Sequence, residues 1–383
     1  MIGRKHLFHF VNWVSRRFFA SRLSFAHVEA FVYYNSWRRF WNLIQVTIDV
    51  RLRRIEARGK PYVLIVETTN VCNLQCPFCL TGKGVSGGRE KRHMSFEEAK
   101  AILDEVASTA YFLQLYTWGE PLLNKDTLKV IDYAKQKNLY VMLSTNGTAM
   151  NAGYCKQLVT AGLDYIMVAI DGNSQETYSQ YRRGGEFDKV VSNVETLIAE
   201  RNAQGSRRPF VEWQFIVFSH NEHELETAEA RAYAMGVNKF TPLPAYVEDE
   251  AWLPKNGKYR AEPFNPERLI NCNRPWTHLN ARADGGMAPC CYEFFKKDDF
   301  GNLRENSFSS LWNNALFRES RKLIGQFTRT GKMDDSRLIC HGCLKSGMRP
   351  SFFEIDEDTP RVEGRRKIPI KVVAEQRVVD KVA

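Results

Sequence analysis

No run of apolar residues in this chain is long enough to cross a bilayer. A spanning helix needs about eighteen or more, and the longest charge-free candidate, Phe40 to Ile48, stops far short. A secretory signal is also missing, because Arg16, Arg17 and Arg22 interrupt the apolar stretch it would need. Without that signal, nine cysteines in 383 residues do not read as a disulfide framework. A surplus of one charge is absent from the body of the chain as well. The formal charge of +10 divides into twelve Lys/Arg against three acids over residues 1–60 and seven against three over 361–383, which leaves the stretch between at −3. A near-neutral body with basic ends is no nucleic-acid binder, and none is expected as a partner.

Length and composition suit one large or two modest soluble domains, with 44% hydrophobic and 26% charged residues. From Pro61 onward, short apolar runs alternate with helical stretches. Strands are expected near 62–69, 112–117, 139–145, 165–170, 211–218 and 237–242. Helices fall between them, the first opened by the capping box Ser95-Phe-Glu-Glu98. Residues 83–92, rich in Gly, Lys and Arg, read as an exposed loop. The alternation argues for an α/β fold, a partial (β/α)6 TIM-like barrel whose functional loops sit at the strand C-terminal ends. A Pro-bearing acidic stretch at 243–265 reads as a linker. The expected division is therefore a basic, aromatic-rich helical extension over 1–60, a barrel over 61–245, a cysteine-rich domain over 246–350 and a basic tail over 351–383.

The first expected strand runs into Cys72-Asn-Leu-Gln-Cys76-Pro-Phe-Cys79. Zinc wants four ligands, and no His or Cys follows soon enough to complete a tetrahedron. Three thiolates this close can instead hold three corners of a cubic iron–sulfur cluster, leaving one iron open.

This spacing resembles the signature of the radical S-adenosylmethionine (SAM) enzymes. The resemblance implies that Cys72, Cys76 and Cys79 ligate a four-iron four-sulfur cluster whose fourth iron is chelated by S-adenosylmethionine. Reductive cleavage would then give a 5′-deoxyadenosyl radical that abstracts a hydrogen atom from substrate. Phe78 stands where the family places an aromatic near the adenine, or is a small core aromatic. Gly119-Glu120-Pro121 looks like the family's Gly-Gly-Glu-Pro motif for the amino group of the cofactor, with Trp118 in place of the first glycine. Ser144 and Asn146 end the third strand where relatives contact ribose, although Asn146-Gly147 is also ordinary turn chemistry. Asp171 closes the fourth strand and is taken as a cofactor contact. Arg182 follows it and can pair with a carboxylate or phosphate, or be a solvated helix end. His220, at the fifth strand's exit, is either a base or a structural histidine.

Further on, Cys272, Cys290, Cys291 and Cys340-His-Gly-Cys343 resemble the SPASM or twitch extension of radical SAM barrels. Cys272, Cys290, Cys340 and Cys343 would by that resemblance ligate one auxiliary four-iron cluster. The choice between Cys290 and Cys291 stays open, as does a zinc ribbon. Cys291 is the candidate to return a hydrogen atom.

The expected activity is oxidation, dehydrogenation or epimerisation of a sugar or lipid-linked substrate, with a flavodoxin or ferredoxin as electron donor. That substrate class rests on residues 1–60, where basic residues accompany twelve aromatics and where Leu7, Phe10, Val11, Val14 and Phe18 share one helical face. Such a face suits an anionic membrane surface and a cytoplasmic, peripheral protein. A peptide-modifying maturase is the alternative, and a non-catalytic metal-braced scaffold a third reading.

Overall fold

The computed structural model describes residues 25–247, 249–260 and 272–346. Six strands follow Pro61 in the expected order: β1 Val63–Val66, β2 Phe112–Leu115, β3 Tyr140–Thr145, β4 Tyr165–Ala169, β5 Phe210–Val217 and β6 Lys239–Pro244. Each pairs with the next in parallel, as helical crossovers require. The first crossover helix, Phe96–Val106, begins with the foreseen capping box. Ser95 Oγ accepts from the Glu98 N–H at 3.3 Å, and Glu98 Oε2 accepts from the Ser95 N–H at 2.8 Å.

Side chains alternate across the curved sheet. Leu64, Val66, Leu113, Leu115, Val141, Leu143, Ile166 and Val168 bury against the helices. Val63, Ile65, Phe112, Tyr140 and Tyr165 face the barrel interior. These two apolar faces are what curl the sheet into a barrel with a filled lower end.

The C-terminal domain does not lie beyond a free linker. Strand β7, His278–Ala281, pairs in parallel with β1 at Val63↔His278 and Ile65↔Asn280, and β8, Met287–Ala288, pairs antiparallel with β7. The sheet order is therefore β6-β5-β4-β3-β2-β1-β7-β8. In the expected linker, β6 continues through Pro244, and short turns follow at Glu250–Trp252 and Gly257–Tyr259. Glu248 and Pro263 lie outside the described residues.

The described part of the N-terminal extension forms two helices, α1 Phe25–Tyr33 and α2 Trp37–Leu52. They close the lower end of the barrel. Ala30, Phe31 and Tyr34 pack on Tyr111, Phe112 and Tyr140. Arg39, buried, donates to the carbonyls of Tyr34, Asn138, Ala107 and Lys137 at 2.6–3.0 Å. A guanidinium has five donors, and four carbonyls saturate most of them without a counter-ion. Trp37 remains 73% exposed, stacks on Phe40 and meets Trp41 edge-on, and both of these are also exposed. The face carrying Leu7, Phe10, Val11, Val14 and Phe18, and the basic tail 351–383, lie outside the described residues.

The loop at 83–92 departs from expectation in part: Gly84, Val85, Gly87 and Arg89 are buried, while Gly88, Glu90 and Lys91 are exposed. Leu80, Val85, Phe294 and Phe295 form a small core of their own. Arg89 pairs with Asp284 at 2.9 Å and with Asp299 at 2.6 Å. Of the charges that suggested an exposed loop, Arg89 is neutralised by acids of the C-terminal domain and Arg92 by Glu98.

Candidate active site

The cysteine loop is held by backbone contacts that tolerate no side chain. A Cβ on Gly119 would lie 1.9 Å from Thr69 O, and one on Gly82 would lie 2.3 Å from Cys76 O. This approach lets the Glu120 N–H donate to Val71 O at 2.8 Å, fixing the end of β2 against the loop. Cys72, Cys76 and Cys79 then share one small core with Leu74, Tyr181 and Phe218.

Burial raises the Cys76 thiol to about 12 and the Cys72 thiol to about 11, and the neighbouring cysteine sulfurs push each further up. Two features favour the thiolates: the Leu74 N–H lies 3.5 Å from Cys72 Sγ, and Arg182 Nη1 lies 4.0 Å from Cys76 Sγ. Arg182 is aimed there by buried Asp171, whose Oδ2 accepts from Arg182 Nε at 2.6 Å while Oδ1 accepts from the Ile216 N–H at 2.6 Å. Asp171 thus places the arginine, and both its oxygens are occupied in doing so.

Glu120 behaves similarly. Its carboxylate accepts from Thr145 Oγ1 at 2.6 Å, the Asn146 N–H at 2.7 Å and the Leu122 N–H at 3.1 Å. Three of about four acceptor sites are filled, so Glu120 braces β2 against β3 before it can meet any ligand. Asn146 Nδ2 lies 3.9 Å from Cys72 Sγ, and its Oδ1 accepts from Thr148 Oγ1 at 2.6 Å. Ser144 stands on β3, half-buried. Phe78 stacks on Tyr181 at 6.5 Å and meets Trp252 edge-on at 5.0 Å. His220 belongs to the same aromatic wall, flat on Phe218 at 5.3 Å and against Trp252 at 5.0 Å. Burial lowers its pKa and keeps it neutral.

The second cysteine set assembles across the C-terminal domain. The Cys340 sulfur feels those of Cys290, Cys272 and Cys343, and burial raises it far above an ordinary thiol. Cys290, pushed up to about 12 by burial, also senses Cys272. Cys291 also acts on Cys290 and Cys272, while packing on the barrel-interior cluster with Tyr116, and Arg274 Nη1 lies 3.2 Å from its sulfur. Arg53 of the N-terminal extension holds this region by donating to Cys272 O at 3.0 Å and Asn273 Oδ1 at 2.8 Å. Among the described residues, no three His, Cys, Asp or Glu side chains close on a single point as ligands of one metal ion would. Four zinc ligands share one ion at about 2.0–2.3 Å, whereas each thiolate of a cubic cluster takes its own iron.

Between the domains an open cleft of about 440 Å³, solvent space included, is lined by Glu67, Asn70, Cys72, Arg89, Trp118 and Phe294. Trp118, read in the sequence only as a departure from a motif, forms its wall. The indole donates to Glu293 O at 3.2 Å and meets Phe294 edge-on at 4.9 Å. Glu67, Trp118, Arg274 and Tyr116 carry no motif of their own, and sequence reasoning passed over them.

Two family models match the chain: the radical SAM superfamily over residues 66–204 and an iron–sulfur cluster-binding domain, SPASM, over 272–344. The chain belongs to the radical SAM superfamily. Fe-coproporphyrin III synthase of Methanosarcina barkeri is 32% identical over 39% of this chain but only 37% of its own length, so the likeness spans about two fifths of that relative. PqqA peptide cyclase of Xanthomonas axonopodis pv. citri is 24% identical over 74% of this chain and 80% of its own length. Streptococcus suis SuiB bound to S-adenosylmethionine shares the fold with a TM-score of 0.55, at 11% identity, over 74% of this chain and 72% of that one.

Membership brings four-iron four-sulfur clusters and S-adenosylmethionine as the cofactors of this radical SAM enzyme. The donor sets are those such groups need: buried thiols, a cation at Cys76, and glycine at the two closest backbone approaches.

Proposed function

We propose that this radical SAM enzyme modifies a peptide. One observation carries the reading: the likeness to a peptide cyclase runs through both the barrel and the C-terminal domain, over 74% of this chain and 80% of that relative. The match to the porphyrin-related relative covers little more than a third of either chain. SuiB, of the same fold, was also solved with its precursor peptide. The cleft beside Cys72 is lined from both domains, by Arg89 and Trp118 on one side and Phe294 on the other.

In this reading Cys72, Cys76 and Cys79 hold the first cluster, and Cys272, Cys290, Cys340 and Cys343 hold the second. Bound S-adenosylmethionine supplies hydrogen-atom abstraction from carbon. The chain's own residues position and exclude. Arg182, held by Asp171, keeps a cation at Cys76. Asn146 and the strand ends braced by Glu120 line the cofactor's place, with Ser144 beside them. The wall of Phe78, Tyr181, Phe218, Trp252 and His220 shields the loop from water. Cys291 faces the barrel interior, where a thiol can meet substrate. The test is mass spectrometry of small peptides encoded beside this gene, incubated with the reconstituted enzyme without oxygen. A mass change that requires Cys76 supports the proposal. Unchanged peptides together with modification of a nucleotide sugar or lipid-linked sugar would overturn it.

A peripheral place on an anionic membrane is a second proposal, favoured by the exposed Trp37, Phe40 and Trp41 cluster and by the basic residues around it. No helix among the described residues is long and apolar enough to cross a membrane. Co-sedimentation with anionic vesicles should fall on Trp37→Ala/Trp41→Ala; unchanged sedimentation would remove this proposal.

A further inference from the structure

The lower end of the barrel interior is packed with Val63, Phe112, Tyr140 and Tyr165, all buried. Above them the inward positions change character. Gln114, Met142, Ser144, Met167 and Gln214 are only half-buried, so the upper interior is open. Asn280 joins them from β7, since it is in register with inward-facing Ile65.

Each amide of this layer has one poorly served end, although Gln114 Oε1 accepts from the Tyr116 hydroxyl at 3.1 Å and Asn280 Nδ2 donates to Ala288 O at 3.5 Å. Gln114 Nε2 reaches only Met142 Sδ at 3.7 Å, and Gln214 Nε2 reaches Met167 Sδ at 3.2 Å. A thioether is a weak acceptor. Asn280 is 1% exposed, and its Oδ1 has no partner. A buried acceptor is normally bonded, so Asn280 Oδ1, with two half-buried glutamine Nε2 groups resting on thioethers beside it, points to a ligand that completes them. The ligand's charge follows from what surrounds it. None of these six positions is ionisable. The carboxylate of Glu212 below is taken up by Tyr165, Thr241 and Lys239. The guanidinium of Arg274 lies against Cys291, and that of Arg282 donates to the carbonyls of Cys290 and Glu293. Both arginines act on Tyr116, whose hydroxyl donates to Gln114 Oε1 at 3.1 Å, but neither is among the six lining positions, which offer an amide both donors and acceptors.

We infer that the upper barrel interior receives an uncharged amide group of the substrate, with Gln114, Gln214 and Asn280 as its specificity-determining residues. This rests on the peptide reading above and narrows it to a backbone segment or an Asn or Gln side chain.

Saturation-transfer NMR on the reconstituted protein tests it with three probes: N-acetylglutamine methylamide, N-acetylglutamate methylamide and glucose 1-phosphate. The glutamine probe should be preferred about tenfold or more, as expected where a site's polar groups would otherwise stay unpaired. Gln114→Leu/Gln214→Leu should erase the preference with no fall in melting temperature. Equal transfer to the glutamate probe, or a preference that survives the double variant, overturns the assignment. If the double variant fails to fold, Gln214→Glu should turn the preference toward N-acetyllysine methylamide, and no such turn overturns it. Preference for glucose 1-phosphate would defeat the peptide reading as well. A precursor peptide that is modified regardless of Gln-to-Glu exchange, by both wild type and double variant, would defeat the chamber alone.

Discussion

Gly119→Ala is the sharpest perturbation of this site. A Cβ there would stand 1.9 Å from Thr69 O and 2.7 Å from Thr69 C, both backbone atoms with no flexible end to yield. Ordinary contact begins near 3.4 Å, so the loop bearing Glu120 and the one bearing Cys72 must part by about 1.5 Å. That opening breaks the Glu120 N–H to Val71 O bond of 2.8 Å and carries Cys72 away from Asn146. Overpacking of this kind costs about 1–3 kcal/mol, which a barrel of this size survives. Misplacement of a reacting centre by about 1 Å costs about 10²-fold in rate. The variant should therefore fold and lose about 10²-fold or more in anaerobic 5′-deoxyadenosine formation with dithionite. Gly257→Ala, with nothing within 4 Å of its Cβ, is the matched control. Near-normal cleavage by Gly119→Ala would refute the claim that this backbone approach positions the cofactor.

Three other outcomes follow from the same geometry. Cys76→Ala should reduce iron from about eight per chain to about four, since only the C-terminal set remains, and colorimetric iron analysis reads this directly. Arg89→Met leaves Asp284 and Asp299 buried without their cation, so it should destabilise by about 3–5 kcal/mol in urea unfolding and expose the 83–92 loop to limited proteolysis. Asp171→Asn keeps the volume but not the charge that aims Arg182 at Cys76. It should weaken S-adenosylmethionine binding, read as a raised KM, and lower the melting temperature because Arg182 is left buried without its partner, whereas Asn146→Asp, which sets a charge beside Cys72, should lower the yield of reconstituted cluster.

Local signals were strong where the chain must fold by itself. The capping box at Ser95, the six strand and helix alternations after Pro61, and the C-x3-C-x2-C spacing were legible because each is written in consecutive residues. The loop at 83–92 was misread for the opposite reason. Its charges looked solvent-seeking until Asp284 and Asp299, two hundred residues away in sequence, arrived to pair with Arg89. Residues 25–60 carried the same ambiguity: amphipathicity announces a partner surface without naming it, and for Arg39 and Tyr34 that surface is the underside of the barrel. The sugar or lipid expectation leaned on residues 1–60, and what favours its alternative is the likeness to a peptide cyclase over 74% of this chain.

The three clustered cysteines, by their spacing alone, set the cofactor chemistry, because cluster ligation by a short loop is a property of neighbouring residues. Everything that depends on distant segments meeting was settled by tertiary packing. That includes the hydrogen bonds by which Glu120 braces β2 against β3 and Asp171 holds Arg182, and the addition of β7 beside β1. Each is fixed by hydrogen bonds and buried contacts between residues far apart in the chain, and no pattern within either partner encodes where the other will be.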